Sequence, residues 1–141
     1  MTGEDERVNR ILGVGLDLVE LDRVRSALGR HGERFVERIA DPLEIGSRSA
    51  AGQAQTVAGL FAAKEAVLKA LGTGWAEGLA FRQVVVERLA SGAPRVRLEG
   101  EARRRADRMG VARIHLSITH DAGVAAAVAV LEGPGEPLDG D

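Results

Sequence analysis

Asp17 is an acidic residue among small and apolar neighbours. Residues 13–18 read Gly-Val-Gly-Leu-Asp-Leu, and their alternation predicts a β-strand with one apolar face and one nearly bare face. Asp is uncommon within strands, and the glycines on its face let a ligand or metal ion approach the backbone closely. Asp17 is therefore a candidate ligand-binding or metal-binding carboxylate. The alternative is a carboxylate that caps the helix predicted to begin near Glu20.

Three charged residues, Lys64, Glu65 and Lys69, lie on a helix predicted over residues 54–71. Lys64 shares the apolar stripe of that helix with Val57, so its ammonium group must either reach solvent or meet a fixed anion. Glu65 and Lys69 are four residues apart, in the order that stabilises a helix by about 0.2–0.5 kcal/mol. These charges indicate either part of a site for an anionic ligand or a solvated helix flank, and their spacing alone does not decide between the two.

A short glycine-rich segment, Gly72, Thr73 and Gly74, follows this helix. Glycine-rich loops that cradle phosphate open a helix and do not close one, so the match to such loops is weak. The alternative is a helix stop followed by a turn.

Ser117, Thr119 and His120 come at the end of a strand predicted over residues 113–119. Ser117 and Thr119 project to one face, with His115 alongside. Hydroxyl and imidazole groups gathered at a strand end are suited to binding phosphate oxygens. A nucleophilic serine triad is disfavoured because the chain has no Gly-x-Ser-x-Gly turn, and a purely structural histidine is the alternative.

Arginines are concentrated between residues 23 and 38, together with a few acidic side chains. They form either a solvated face or a docking surface for an acidic partner, where such charges would mainly accelerate association. The arginines are Arg23, Arg25, Arg30, Arg34 and Arg38.

The periodicity of apolar residues predicts the elements that position these side chains. The expected fold is α+β, with a mostly antiparallel sheet packed against one long and several short helices. Strands are expected at residues 11–19, 81–89, 95–98, 113–119 and 124–131, the last one central and buried on both faces. Helices are expected at 20–28, 33–39, 54–71 and 100–110, with a mobile loop at 46–53 and a hairpin turn at 120–123.

Composition limits the classes of protein to consider. The 141 residues fit one domain, expected at 10–132 between flexible tails at 1–9 and 133–141. The chain has no cysteine, which excludes disulfides and thiolate chemistry. No apolar run is long enough to span a bilayer, and the polar N-terminus lacks a signal peptide, so a soluble, cytoplasmic protein without a membrane partner is expected. A net charge of −2 and 3% aromatic residues disfavour nucleic-acid binding through the Arg103–Arg105 segment.

Three segments, taken in order, resemble the holo-acyl-carrier-protein synthase family of small trimeric phosphopantetheinyl transferases. They read GVGLDLVELDRV at 13–24, FAAKEAVLKALGTG at 61–74 and HLSITHDAGVAAAVAVLE at 115–132. The resemblance covers nearly all of residues 11–132. It implies an enzyme that transfers the 4'-phosphopantetheine group of coenzyme A to a serine of an acyl carrier protein, with Mg²⁺ as cofactor and adenosine 3',5'-bisphosphate as the second product.

The resemblance also implies roles for individual residues. Asp17 and Glu65 match metal-binding carboxylates, and together with Lys69 they match the catalytic set, with Glu65 the candidate base. Coenzyme A contacts correspond to Lys64, Lys69, Gly72, Thr73, Gly92, Pro94, Ser117, Thr119 and His120. The basic surface for the carrier protein corresponds to Arg23, Arg30 and Arg34. The family implies a homotrimer with active sites between subunits, which suits a domain with a small core.

Two positions depart from the family pattern. Leu60 stands where the family usually has arginine, and Ala93 stands where the turn usually has lysine. Both changes remove positive charge near a polyanionic ligand. The alternative function is therefore a catalytically weakened relative that binds a carrier protein or coenzyme A without transfer.

Overall fold

A computed structural model describes residues 8–46, 50–72 and 81–135. The elements confirm the expected α+β class. In chain order they are β1 (Arg10–Glu20), α1 (Leu21–His31), α2 (Glu33–Ile39), α3 (Pro42–Ile45), α4 (Ala50–Leu71), β2 (Val84–Arg88), β3 (Pro94–Leu98), α5 (Gly100–Met109), β4 (Arg113–Asp121) and β5 (Val124–Gly133). A 3-10 turn over Phe81–Gln83 precedes β2.

The strands form two sheets whose described pairings are all antiparallel. In the larger sheet, β5 lies between β1 and β4, while β2 and β3 form a separate hairpin. The register places Asp17 opposite Ala127 of β5, which in turn lies opposite Ile118 of β4. Asp17, Ala127 and Ile118 therefore share one row and one face of the larger sheet.

Helix α4 packs against the bare face of β1. A Cβ atom on Gly15 would lie only 1.8 Å from the Ala66 carbonyl oxygen, and one on Gly13 would lie 2.2 Å from that of Ala70. We expected these glycines to leave space for a ligand. They instead admit the backbone of α4, and this approach brings α4 side chains next to Asp17.

The opposite face of the larger sheet is uncovered. Val14, Leu16 and Leu18 of β1 expose 58%, 65% and 67% of their surface, and Val128 of β5 is also exposed. The prediction that β5 is central is confirmed, but the prediction that both its faces are buried is wrong for a single chain. Its inward residues are fully packed against α4: Ala125, Ala127, Ala129 and Leu131. On its outward face, Val128 is exposed, and Val124, Ala126 and Val130 are half-buried.

Several boundaries differ from those expected. Helix α4 begins at Ala50, so residues 50–53 are helical and not part of a loop. Strand β4 continues to Asp121, and the hairpin turn is the two-residue Ala122-Gly123, whose φ angles of 50° and 76° are typical of the tightest antiparallel connections. The region expected as a strand at 81–89 begins with the 3-10 turn.

Helix α3 was not expected, although its signal is present in the sequence. Asp41 and Glu44 form a capping box around Pro42, in which the Leu43 N–H donates to Asp41 and the Asp41 N–H donates to Glu44.

Within the described residues, regular structure begins at Arg10 and ends at Gly133. Val8 and Asn9 precede β1 without regular structure, and β5 reaches Gly133, one residue into the predicted C-terminal tail. Residues 1–7 and 136–141 of the two predicted tails lie outside the described residues. Among the described helices, none has the length and apolar character required to cross a membrane.

Candidate active site

Asp17, Lys69 and Glu65 come together where β1 meets α4. The Lys69 ammonium donates to Asp17 Oδ1 at 3.0 Å and to the Leu16 carbonyl oxygen at 3.2 Å. Glu65 lies one turn before Lys69 on the same helix. The close contact between the glycine face of β1 and α4 is what holds these side chains together.

The two carboxylates of this cluster influence each other. Burial raises the pKa of Glu65 above its ordinary value, the negative charge of Asp17 raises it further, and Lys69 partly offsets both effects. The Asp17 carboxylate is largely buried, with 15% of its side chain exposed. The cluster therefore contains two acidic groups that repel each other and a single amine, an arrangement that favours an additional cation.

Asp17 and Glu65 line a groove of about 500 Å³ between β1, α1 and α4. Val24, Phe35 and Phe61 give it an apolar wall, and Glu20 and Arg23 add charged side chains to its lining. The open groove gives a substrate access to both carboxylates from one side of the molecule.

The donor set fits a hard divalent cation. Mg²⁺ is commonly held by one or two carboxylates together with substrate phosphates and water, and not by a complete protein cage. Among the described residues, no group of three or more histidine, aspartate or glutamate side chains is arranged to hold a metal ion. Asp17 and Glu65 supply two carboxylates beside an open groove. This number of protein ligands is typical of Mg²⁺ sites that are completed by substrate and water, and not of structural sites that are closed by protein ligands alone.

Lys64 does not join this cluster. Its side chain is fully buried, and its ammonium group donates to Glu44 Oε1 at 3.0 Å and to the Ile39 carbonyl oxygen at 2.7 Å. Burial lowers the pKa of Lys64, and Glu44 opposes that shift through its charge and its hydrogen bond. The expected fixed anion is therefore present, but it is a side chain of the same protein. The contact with coenzyme A phosphates implied by the family resemblance is not supported by this position of Lys64.

His120 lies against the first half of α4, away from Glu65. Its Nε2 atom lies 3.1 Å from the Gln55 carbonyl oxygen, and since a carbonyl can only accept, Nε2 carries the proton. The ring also packs against Gly59. Gln55 and Gly59 precede Glu65 by ten and six residues, roughly 15 and 9 Å along a helix. One chain therefore does not bring His120 to the carboxylates.

Ser117 and Thr119 lie on the uncovered face of the larger sheet. Their positions opposite Val128 and Ala126 place them there, and His115 follows the same face and lies 3.0 Å from Glu132. The shared face of these three residues is the one expected from the sequence. His120 projects to the other face, so Thr119 and His120 cannot act from the same side of the strand.

The other expected coenzyme A contacts lie in turns. Gly92 and Pro94 belong to the β2–β3 turn, where Gly92 has φ 89° and its carbonyl oxygen accepts from Arg88. Gly72 ends α4 with φ 83°, and the Arg105 guanidinium donates to the neighbouring Leu71 carbonyl oxygen. Thr73 lies outside the described residues.

The three arginines expected to bind a carrier protein are exposed. Arg23 and Arg30 lie on α1 and Arg34 on α2. Arg23 lines the groove of Asp17 and Glu65. Arg34 lines a second cavity with Phe35, which also borders the groove. A basic surface thus continues from the carboxylates across α1 to α2.

Three arginines of α5 have partners within the protein. Arg103 pairs with Asp107, Arg104 pairs with Glu101, and the Arg105 guanidinium donates to the Leu71 carbonyl oxygen. The two ion pairs lower the positive charge that this helix presents to solvent.

Sequence reasoning missed the residues that shape this region without carrying its chemistry. Phe35 and Phe61 line the groove, but an aromatic residue in an apolar helix is not distinguishable from a core residue by spacing. Glu44 was also missed, although the capping box around Pro42 marked it as a fixed carboxylate.

Comparison with known proteins identifies the family of this chain. The family model described as the 4'-phosphopantetheinyl transferase superfamily matches residues 13–129. A holo-[acyl-carrier-protein] synthase of Maridesulfovibrio salexigens is 51% identical over 122 residues, covering 86% of this chain and 98% of that protein. A Plasmodium yoelii acyl carrier protein synthase with ADP bound has a TM-score of 0.79 at 29% identity, covering 89% of this chain and 98% of that one. A Helicobacter pylori holo-[acyl-carrier-protein] synthase in complex with coenzyme A has a TM-score of 0.73 at 33% identity, covering 84% of this chain and 98% of that one.

Proposed function

Because this chain belongs to the 4'-phosphopantetheinyl transferase superfamily, we propose that it transfers the 4'-phosphopantetheine group of coenzyme A to a serine of an acyl carrier protein. The observation that carries the proposal is the pair of carboxylates, Asp17 and Glu65, beside Lys69 in one open groove. Such a cluster suits a substrate that brings a pyrophosphate and needs its charge neutralised.

The proposal includes Mg²⁺, with Asp17 and Glu65 as its protein ligands. When bound, the ion would neutralise pyrophosphate charge that otherwise opposes an incoming nucleophile. Lys69 is the remaining cation of the cluster, and its 49% exposed side chain is free enough to turn from Asp17 towards a phosphate oxygen.

The protein groups then act by positioning and proton transfer. The carrier serine oxygen forms a bond to the β-phosphorus of coenzyme A, and the bond from that phosphorus to the bridging oxygen breaks. Adenosine 3',5'-bisphosphate leaves with the electron pair of the broken bond. Glu65 takes the serine proton, directly or through one water.

We also propose a homotrimer in which each site is shared by two copies. Two observations support this arrangement. The sheet face with Leu16, Leu18 and Val128 is apolar and uncovered, as expected of a surface that packs against another subunit. His120 lies against Gln55 and Gly59 and does not reach the carboxylates of its own chain, so this proposed nucleotide contact would complete the site of a neighbour, together with Gly92 and Pro94.

The carrier protein is proposed to dock on α1 and α2 through Arg23, Arg30 and Arg34. The basic surface begins at the groove, so an acidic carrier bound there would present its serine near Glu65. Charge reversal at Arg34, which does not line the groove of the carboxylates, should raise KM for the carrier protein without changing KM for coenzyme A.

Intact mass spectrometry of an apo carrier protein tests the proposed transfer. We expect incubation with this protein, coenzyme A and Mg²⁺ to add the mass of one phosphopantetheine group. Chelation by EDTA should stop the addition, and Mg²⁺ in excess should restore it. A panel of carrier proteins that all stay unmodified, while a known transferase modifies them, would contradict the proposal.

A binding module without transfer is the second candidate, and Leu60 is the observation that favours it. Leu60 is buried in the core with 5% exposure, so no cation is available at that position. In this case titration calorimetry would detect binding of coenzyme A or the carrier protein to this protein, but the mass of the carrier protein would not change.

A further inference from the structure

Glu44 is the centre of a buried hydrogen-bond network that the proposed transfer does not use. Its Oε1 atom accepts from the Lys64 ammonium at 3.0 Å and from the Asp41 N–H at 2.9 Å. Its Oε2 atom accepts from the Val86 N–H at 2.9 Å. The Glu44 side chain is 4% exposed and that of Lys64 is fully buried.

This network joins the elements that carry the separate parts of the proposed site. The Ile39 carbonyl oxygen, which accepts from Lys64, ends α2, and α2 carries part of the arginine surface. Val86 lies on β2, which leads into the turn of Gly92 and Pro94. Lys64 itself precedes Glu65 on α4, so the direction of the Lys64 side chain fixes the rotation of the helix about its axis at the catalytic carboxylate.

The Lys64 ammonium is directed to the inside of the molecule. It has three N–H donors, and the protein provides two close acceptors, one of them a carboxylate. A buried carboxylate and a buried ammonium that pair with each other satisfy both charges, whereas turning Lys64 outwards would leave Glu44 buried without its countercharge.

We infer that Glu44 and Lys64 form an internal positioning pair of the active site, and that the Lys64 charge is neutralised by Glu44 and not by the phosphates of coenzyme A. The inference rests on the proposed function, because it assigns the pair a role in presenting Glu65. It leaves Lys69 as the described lysine that contacts phosphate. The pair acts through other residues and does not itself contact the reacting atoms.

The test compares Lys64→Met, Glu44→Gln and the double variant, with Lys69→Met as the matched control. Each single variant of the pair leaves one buried charge unpaired, so we expect a lower Tm and a kcat reduced at least tenfold at a temperature where circular dichroism shows a folded protein. The double variant removes both charges while the glutamine can still accept from Val86, so Tm and kcat should recover towards those of the wild type.

The discriminating measurement is KM for coenzyme A. In the Lys64 and Glu44 variants, KM for coenzyme A should stay within about twofold of the wild-type value. In Lys69→Met, KM for coenzyme A should rise at least tenfold, where each factor of ten corresponds to about 1.4 kcal/mol. A tenfold rise in both Lys64→Met and the double variant would overturn the inference, since it would identify Lys64 as a phosphate contact. Folded single variants with wild-type kcat would overturn the positioning role.

These outcomes are separable from failure of the proposed function. If the wild-type protein transfers nothing to any carrier protein, the proposed function fails first. In that case the Tm values of the two single variants and the double variant still report whether Glu44 and Lys64 stabilise each other.

Discussion

At the scale of single residues, the protonation of Glu65 connects its environment to the chemistry. Burial and the nearby Asp17 charge both favour the protonated form of Glu65. Lys69 favours the ionised form, but its effect is smaller and offsets only part of the rise in pKa. A metal ion requires the ionised form. Binding of the ion should therefore release a proton whenever the pH is below the raised pKa of Glu65.

The pH dependence follows from this sign. We expect the affinity for Mn²⁺, used as a probe in place of Mg²⁺, to fall as the pH is lowered through the raised pKa of Glu65. This fall should begin at a higher pH than it would for a glutamate with an ordinary pKa. In Asp17→Asn the pKa of Glu65, followed by carboxyl carbon NMR without metal, should move down because the repelling charge is gone. A Glu65 pKa that does not move in Asp17→Asn would show that the two carboxylates do not interact.

The same shift has a consequence for stability without metal. A carboxyl group whose pKa is raised by folding stabilises the folded state below its ordinary pKa of 4.5, and this contribution is lost as the pH rises through the folded-state pKa. Glu65→Gln cannot ionise, so its stability should not show this loss. Chemical unfolding of both proteins across the pH series makes the comparison.

Residue types and spacing predicted some of these contacts but not others. The position of Lys64 on an apolar stripe left two possibilities, an ammonium group that reaches solvent or one that meets a fixed anion, and the structure contains the anion. Its identity was not predictable from spacing, because Glu44 lies 20 residues away and is brought in by the fold. The pairing of Asp17 with Lys69 depends in the same way on contact between β1 and α4, so only the family resemblance grouped these residues in advance.

At the scale of elements, the distance between β1 and α4 sets the geometry of the carboxylates. Gly15 and Gly13 let the helix backbone approach the strand so closely that any side chain at either position would overlap a carbonyl oxygen. Unlike flexible side chains, helix carbonyl groups cannot move aside individually. The whole helix must shift if the space is filled.

Gly15→Ala tests this contact. We expect it to reduce the free energy of unfolding by about 1–3 kcal/mol, as overpacking typically does, and to lower the affinity for Mn²⁺ because α4 moves away from Asp17. Gly29→Ala is the matched control, since a Cβ there meets no atom within 4 Å. In a helix that replacement should stabilise by about 0.5–1 kcal/mol. Equal effects of the two replacements would contradict the proposed role of the close contact.

Alternation located β1, and a continuous apolar run located β5, but neither pattern could tell which face would be buried within one chain. In β1 the apolar residues suggested a core face, yet the core contains the glycine face, because a helix backbone fits there. In β5 apolar residues on both faces predicted burial on both sides. Both faces of β5 are apolar in sequence, but within a single chain only the face towards α4 is fully buried.

At the scale of the whole molecule, the uncovered sheet face is the feature that a single chain does not explain. Leu16 and Leu18 are about two-thirds exposed, and the row of Leu16 continues through Val128 to Ser117 on β4. Leaving such a face in water is unfavourable, and covering it with further copies of the chain would remove the cost.

Replacement of Leu16 by lysine tests that surface. We expect Leu16→Lys to reduce the molar mass seen by light scattering from a trimer to a monomer and to abolish transfer, because the two parts of the site would separate. Leu43 is 92% exposed and lies outside this face, so Leu43→Lys should leave both mass and activity unchanged. A Leu16→Lys protein that stays trimeric would show that another surface holds the assembly.

The most direct test of the shared site is to mix two inactive variants. Glu65→Gln removes the proposed base, His120→Ala removes the proposed nucleotide contact, and each alone should transfer little phosphopantetheine to a carrier protein. After the two are unfolded together and refolded, some interfaces combine an intact Glu65 with an intact His120 of the neighbouring copy, and we predict that transfer returns. A mixture that assembles into trimers but remains as inactive as its parents would contradict the account.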